Sequence, residues 1–177
     1  MLSIFNGDDY HVYVNYEVMI LTPNNINARV LMLTPPGVKP QFYSLLAILL
    51  VKSGIEVIMP RLPLPCNQTR LKEVIHSFSK KYYHDLILML GFDTDNIDKP
   101  KLVIEFSNDH VIRQLIRSDV PGSVHSLLIN ECMWVKNSIR NSDLSVNEEV
   151  PSLNTIINIR DFTIKRVLHL KGASKNK

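Results

Sequence analysis

The stretch Arg29–Pro63, RVLMLTPPGVKPQFYSLLAILLVKSGIEVIMPRLP, reads as strand, turn, helix, strand. Val30–Leu33 is a short apolar run stopped by Pro35-Pro36-Gly37. Gln41–Ser53 is apolar around most of its circumference, through Leu45, Leu46, Ile48, Leu49 and Leu50, and is long enough for a helix rather than a strand. Gly54 closes that helix, and Ile55–Met59 is a second apolar run stopped by Pro60. Two near-continuous apolar runs joined by a helix describe a right-handed βαβ crossover, because a strand covered on both faces has no reason to alternate.

Upstream, His11–Tyr16 alternates as Val12, Val14 and Tyr16, and Glu17–Leu21 adds an apolar run before the turn at Pro23-Asn24-Asn25. Residues 11–21 are expected to form an antiparallel ribbon, or an edge strand, on the main sheet. Downstream, Asn67 or Thr69 can cap a helix in which Leu71, Val74, Ile75, Phe78 and Tyr82 share a face and Lys72, Lys80 and Lys81 point outward. Leu86–Leu90 and Lys101–Phe106 are a third and a fourth apolar strand. About ten residues separate them, fewer than the dozen a parallel crossover normally takes. The crossover helix is therefore expected to be absent or cut to one turn, or else these two strands are not simple parallel neighbours.

Further on, His110–Ser118 reads as a short helix, Val124–Ile129 as a fifth strand, Glu131–Arg140 as a last helix and 141–152 as polar loop. Thr155–Ile159 and Thr163–Leu170 suggest a hairpin turning at Arg160-Asp161-Phe162. The expected fold class is α/β: a doubly wound, mainly parallel sheet of Rossmann or flavodoxin type, with an N-terminal strand ribbon and a C-terminal β-hairpin. One domain is expected over 1–171, with 172–177 a flexible tail.

At 177 residues the chain is long enough for a sizeable core. A formal charge of +3 is too small to argue for nucleic acid, and Lys171, Lys175 and Lys177 of the tail supply part of it. Leu45–Val51 is far shorter than the roughly 20 apolar residues of a membrane span, and MLSIFNGDDYH carries acids where an export signal carries bases. Cytoplasmic location is expected, with no membrane or nucleic-acid partner. Cys66 and Cys132 lie in unrelated contexts without CxxC or histidine-spaced partners, so no metal site is written in the chain.

In an open α/β sheet, ligands bind beyond the carboxyl ends of the strands, near the switch point. The expected rim comprises Pro35, Pro36 and Gly37 after the first central strand, Arg61 after the second and Gly91, Asp93 and Asp95 after the third. Asp109 and His110 follow the fourth strand, and Glu131 follows the fifth. The same acids can equally serve as helix and turn caps that need no ligand. No GxGxxG or GxxxxGK[ST] occurs, which argues against a nucleotide held in a glycine loop. His76, His84, His125 and His169 form no HxxxH pair and read as structural or exposed, and Trp134 as packing.

Two families share features with this pattern. Val30–Pro36, Leu45-Leu46-Ala47 and Ser53–Val57 stand in the order of the Rossmann-type cobalamin-binding domain of cobalamin-dependent radical SAM proteins. Asp85-Leu86-Ile87, Thr94-Asp95-Asn96, Val124–Ile129 with Glu131, and the expected hairpin resemble its later parts. This resemblance implies a standalone binding module with a corrinoid as possible ligand. The chain departs from the family in having no CxxxCxxC and no DxHxxG.

The second resemblance is to α/β-hydrolases. Phe42, Leu46-Ala47, Gly54 and Val57–Pro63 resemble the strand–helix–strand that precedes the catalytic part of that family. It implies a nucleophile elbow at Gly91–Asp95 with Asp93 in the nucleophile's place, an acid loop at Asn108–His110, and a histidine loop at Asn130–Trp134 in which Met133 stands where the base belongs. Nucleophile, base and orienter are needed together, and the elbow needs a helix directly after it, for which residues 96–100 leave no room. Both resemblances lead to a non-catalytic module that binds a small molecule or, more strongly expected, a protein partner.

Overall fold

The structure, a computed structural model, describes residues 2–36, 38–62, 67–95, 97, 99–106, 133–148 and 151–175. Its frame is a mixed sheet: β1 (Leu2–Asn6), β2 (Tyr10–Val14), β3 (Val18–Pro23), β4 (Ala28–Leu33), β5 (Ile55–Pro60), β6 (Leu86–Leu90), β7 (Lys101–Phe106) and β8 (Leu144–Val146). They lie side by side in the order β1-β2-β3-β5-β4-β6-β7-β8. β1, β2 and β3 form an antiparallel meander that joins β5 antiparallel. From β5 onward every ladder is parallel.

Burial explains this division. All five residues of β6 are buried, as are five of six in β4 and in β5, as expected of parallel strands covered on both faces. In β2 only Val12 is buried, and in β3 Leu21 is flanked by less buried neighbours, the one-sided pattern of an antiparallel ribbon. Asn15 makes the β2–β3 turn, its side-chain oxygen accepting from the amides of Glu17 and Val18, both at 2.8 Å.

The parallel strands, in the order β5-β4-β6-β7-β8, have the 2-1-3-4-5 arrangement of a flavodoxin-like sheet, whose switch point lies between the first and third strands. Here that is between β4 and β6. The β4-to-β5 and β5-to-β6 crossovers run in opposite directions, so right-handedness puts their helices on opposite faces. The first crossover carries a 3-10 turn, Pro40–Tyr43, and α1 (Ser44–Lys52). Gly54 ends α1 at a φ of 84°, a left-handed conformation that L side chains rarely adopt. The second crossover carries α2 (Gln68–Lys81), capped by the Asn67 side chain, which accepts from the Arg70 amide at 3.0 Å. A one-turn α3 (Met133–Lys136) follows β7, and α4 (Leu153–Lys175) packs on α1.

Four expectations change. The C-terminal hairpin is instead the single helix α4. Its β-branched residues favour a strand locally, yet Ile156, Ile159, Thr163 and Val167 are buried at helical spacing, and packing of that stripe overrides propensity. Arg160 and Asp161, read as a turn, are an ion pair on the helix surface. The helix also runs through Lys175, into the stretch read as tail. The expected 131–140 helix is helical only at 133–136 among its described residues, and the chain leaves it through a turn closed by the amides of Asn137 and Ser138. The polar loop 141–152 contains the short strand β8. With Val146 its only buried residue, β8 shows no apolar run in the sequence. The helix read at 110–118 and the strand read at 124–129, with His125, lie outside the described residues, as do Cys66 and Cys132.

β6 and β7 pair as parallel neighbours, Ile87 beside Lys101 and Leu90 beside Ile104. The described residues of their connection hold no helix. The reduced crossover expected from the ten-residue spacing is therefore present.

Candidate functional site

At the switch point, the carboxyl ends of β4 and β6 are closed by their own chain. Thr34, Pro35 and Pro36 are buried, and the Thr34 hydroxyl donates to the Val38 carbonyl at 3.1 Å. The Val38 amide returns to the Pro35 carbonyl at 3.0 Å. From the 3-10 turn, Tyr43 reaches Phe106, the last residue of β7, with ring centroids 6.3 Å apart. Gly91 follows β6 at a φ of 80°, its amide bonded to the Ile104 carbonyl at 2.8 Å. Phe92 is fully buried.

The left-handed turn at Gly91 sends the chain back along the sheet. Asp93 consequently meets Lys101, the residue that opens β7: Lys101 Nζ donates to Asp93 Oδ1 at 2.7 Å and to the Thr94 carbonyl at 3.2 Å. The Asp93 amide donates to Ser138 Oγ at 3.0 Å, and that hydroxyl donates onward to the Val135 carbonyl at 2.6 Å. The Asp93 carboxylate is largely shielded, its side chain 13% exposed. The Asp93 carboxylate is thereby held through Oδ1 in a charge-assisted hydrogen bond to an ammonium.

The described residues of the expected rim do not all lie together. Pro35, Pro36 and Gly91 surround the switch point, but they are buried. Arg61 lies elsewhere: its amide donates to the Glu17 carbonyl at 2.8 Å, and it lines a hollow of about 150 Å³ with Tyr16, Lys39 and Gln41, toward the antiparallel end of the sheet. Asp95 is exposed and faces α2 across a cleft. Gly37, Asp109, His110 and Glu131 lie outside the described residues. Among the described residues no group of three or more His, Cys, Asp or Glu could hold a metal ion, and no helix is long and apolar enough to cross a membrane.

The cleft at Asp95 is the feature that sequence reasoning missed. It measures about 600 Å³ and lies between α2 and Asp95, Ile97 and Lys99, with Ile75, Ile87 and Ile97 among its lining side chains. Its position fits a connection whose described residues hold no helix: a crossover from β6 to β7 belongs on the α2 face by handedness, and without a helix there that face is left open. The signal available was the short spacing itself, together with Lys72, His76 and Lys80 at four-residue intervals on α2. His84, just past α2, is structural as expected. It is buried, with Nδ1 2.9 Å from the Tyr82 carbonyl and Nε2 3.4 Å from Ser79 Oγ. Burial holds its pKa below the ordinary histidine value, and Lys99 adds to that effect.

No family model and no curated protein matches this chain. Among solved structures it is similar to a dienelactone hydrolase from Anabaena variabilis, at 11% identity over 95% of each chain with a TM-score of 0.43. It is similar also to a cold-adapted esterase from an Arctic intertidal metagenomic library, at 10% identity over 94% of this chain and 100% of that one. The TM-scores are 0.42 to the native structure and 0.41 to the zinc-bound structure. Such loose likeness transfers no residue role to this chain.

Proposed function

We propose that this protein is an α/β-hydrolase-like domain without hydrolytic activity that serves as a binding or interaction module. The carrying observation is the Asp93–Lys101 ion pair at 2.7 Å, at the position where an elbow would present its nucleophile. An elbow directs its nucleophile outward from a strand-to-helix turn. Here Gly91 turns the chain back, Asp93 is anchored to the start of β7, and no helix follows among the described residues. The antiparallel meander beyond β5 favours a hydrolase-like sheet over the plain cobalamin-domain one, since an open flavodoxin-like sheet needs no such addition. No observation favours a corrinoid at the switch point, where Thr34, Pro35, Pro36, Gly91 and Phe92 are buried.

The test is hydrolysis of p-nitrophenyl acetate and butyrate, with a haloalkane added because an aspartate nucleophile would suit that substrate. Turnover by the wild-type protein is expected to equal that of Asp93→Asn and of buffer. A rate well above both, lost in Asp93→Asn, would overturn this reading.

A further inference from the structure

A second hollow opens at the amino ends of β4 and β5, the end of the sheet opposite the closed switch point, and is independent of whether Asp93 is catalytically inert. Three connections frame it: residues 7–9 between β1 and β2, residues 24–27 between β3 and β4, and Ser53-Gly54 between α1 and β5. Main-chain hydrogen bonds tie the three together. The Asn24 amide donates to the Asp9 carbonyl at 3.2 Å, and the Asn27 amide donates to the Gly54 carbonyl at 2.9 Å. The Asn24 side chain donates to the Asp8 carbonyl, and the Asn27 side chain lies over Gly54, in the space a Cβ there would take. The hollow has a volume of about 630 Å³, within the range of small-molecule sites.

Its lining combines two kinds of surface. Pro23 and Val51, both buried, supply an apolar part, and the exposed side chains of Asp9, Asn25, Asn27 and Lys52 supply a polar part. Among the described residues, none of those four side chains makes a hydrogen bond or an ion pair. Asp9 and Lys52 thus share the hollow without pairing, and their charges balance. Asp8 beside it adds a further carboxylate, which disfavours an anionic ligand.

A carboxylate accepts hydrogen bonds, an ammonium donates them and a carboxamide does both. Neighbouring hydroxyl groups on one ligand need such donors and acceptors side by side. A pyranose ring also carries an apolar C–H face, which Pro23 and Val51 complement. No aromatic side chain lines the hollow among the described residues, so a nucleobase finds no stacking partner there.

We infer that this hollow is a binding site for a neutral saccharide, its hydroxyls held by Asp9, Asn25, Asn27 and Lys52. Without an aromatic platform, the affinity is weak.

The experiment is an NMR titration of the isotope-labelled full chain with cellobiose, maltose and lactose, a method suited to weak binding. Glucuronate serves as the anionic probe. The expected result is saturable amide shifts with at least one of the disaccharides, centred on residues 7–9, 24–27 and 52–54, and no saturable shift with glucuronate. Asp9→Ala/Asn25→Ala, both exposed positions, is expected to weaken that binding by about tenfold or more while retaining a cooperative melt. Absence of saturable shifts with all three disaccharides would overturn the inference. So would shifts centred elsewhere, saturable binding of glucuronate at equal affinity, or unchanged affinity in the folded double variant. None of these readouts depends on ester hydrolysis, so failure here leaves the reading of Asp93 standing.

Discussion

Asp93 and Lys101 hold each other at 2.7 Å across the shortened connection between β6 and β7. Because Lys101 opens β7 while Asp93 lies three residues beyond β6, this contact fixes how the strap folds back over the sheet. The Ser138 hydroxyl ties the α3 segment to the same point through the Asp93 amide. Asp93 is thus a junction of three chain segments. The short connection and its return to the start of β7 are two aspects of one local arrangement.

Lys101→Met is expected to destabilise the fold by about 1–3 kcal/mol, because it leaves a shielded carboxylate without its cation. Asp93→Asn, which keeps a hydrogen-bond acceptor, is expected to cost less. Urea denaturation of both variants and of the double variant checks this. Additive losses would mean that the pair does not act as a unit, contrary to the geometry.

Gly91→Ala is expected to cost about 1–3 kcal/mol, since a φ of 80° puts an alanine Cβ in a strained conformation at a buried turn. The measurement is again the denaturation midpoint. A neutral result would mean that the turn relaxes without loss and that the return of the strap does not depend on it.

Much of this architecture is legible in the residues. The apolar runs of β4, β5, β6 and β7 are near-continuous, with Glu56 inside β5 and Glu105 inside β7, because both faces are largely covered, and Asn67 and Gly54 mark helix ends by simple local chemistry. Two features are not legible. α4 is rich in Ile, Thr and Val, so its local preference points to strands, and only the burial of Ile156, Ile159, Thr163 and Val167 against the rest of the fold decides for helix. β8 is held less by its own apolar content than by a neighbour: Asp143 accepts from the Val103 amide at 2.8 Å and its own amide donates to the Val103 carbonyl at 2.9 Å. Asp85 clamps Arg29 at the start of β6 in the same reciprocal way, both bonds at 2.8 Å. Such clamps join residues 40 and 56 positions apart, and nothing in the local sequence announces them. Of the candidate rim, Asp93 is redirected because the chain turns back after β6, and Arg61 lies toward the antiparallel end of the sheet, while Gly37, Asp109, His110 and Glu131 lie outside the described residues.

Ser152→Ala is expected to cost about 1 kcal/mol. The Ser152 hydroxyl accepts from the Thr155 amide at 3.2 Å and caps α4, while Glu148 accepts from the Ser152 amide at 2.8 Å and from the Thr155 hydroxyl at 2.9 Å. These bonds hold the Glu148 carboxyl below its ordinary pKa, the Ser152 amide contributing most. A depressed carboxyl stabilises the fold above its ordinary pKa, and that contribution is lost as the pH falls through the folded value. Glu148→Gln should therefore be less stable than wild type at pH 7 and converge with it at acidic pH. Melting temperatures of the two proteins across that range decide the point.

His84 gives a pH dependence of its own, at higher pH than Glu148. Its pKa in the fold lies below the ordinary histidine value, with burial the largest cause and Lys99 adding to it, while the Tyr82 carbonyl and Asp85 act the other way. Between the folded value and the ordinary value of about 6.5 the unfolded chain binds the proton more readily than the folded one. Stability therefore rises with pH across that window. The contribution of neutral His84 is fully present above the ordinary value and is lost as the pH falls through it toward the folded value. His84→Gln can keep a hydrogen bond to the Tyr82 carbonyl but cannot take up the proton, so its melting temperature should decline less steeply than that of wild type as the pH is lowered from 7.5 to 5. Parallel declines in the two proteins would show that His84 accepts a proton in the fold as easily as in the unfolded chain, and that its burial carries no penalty for charge.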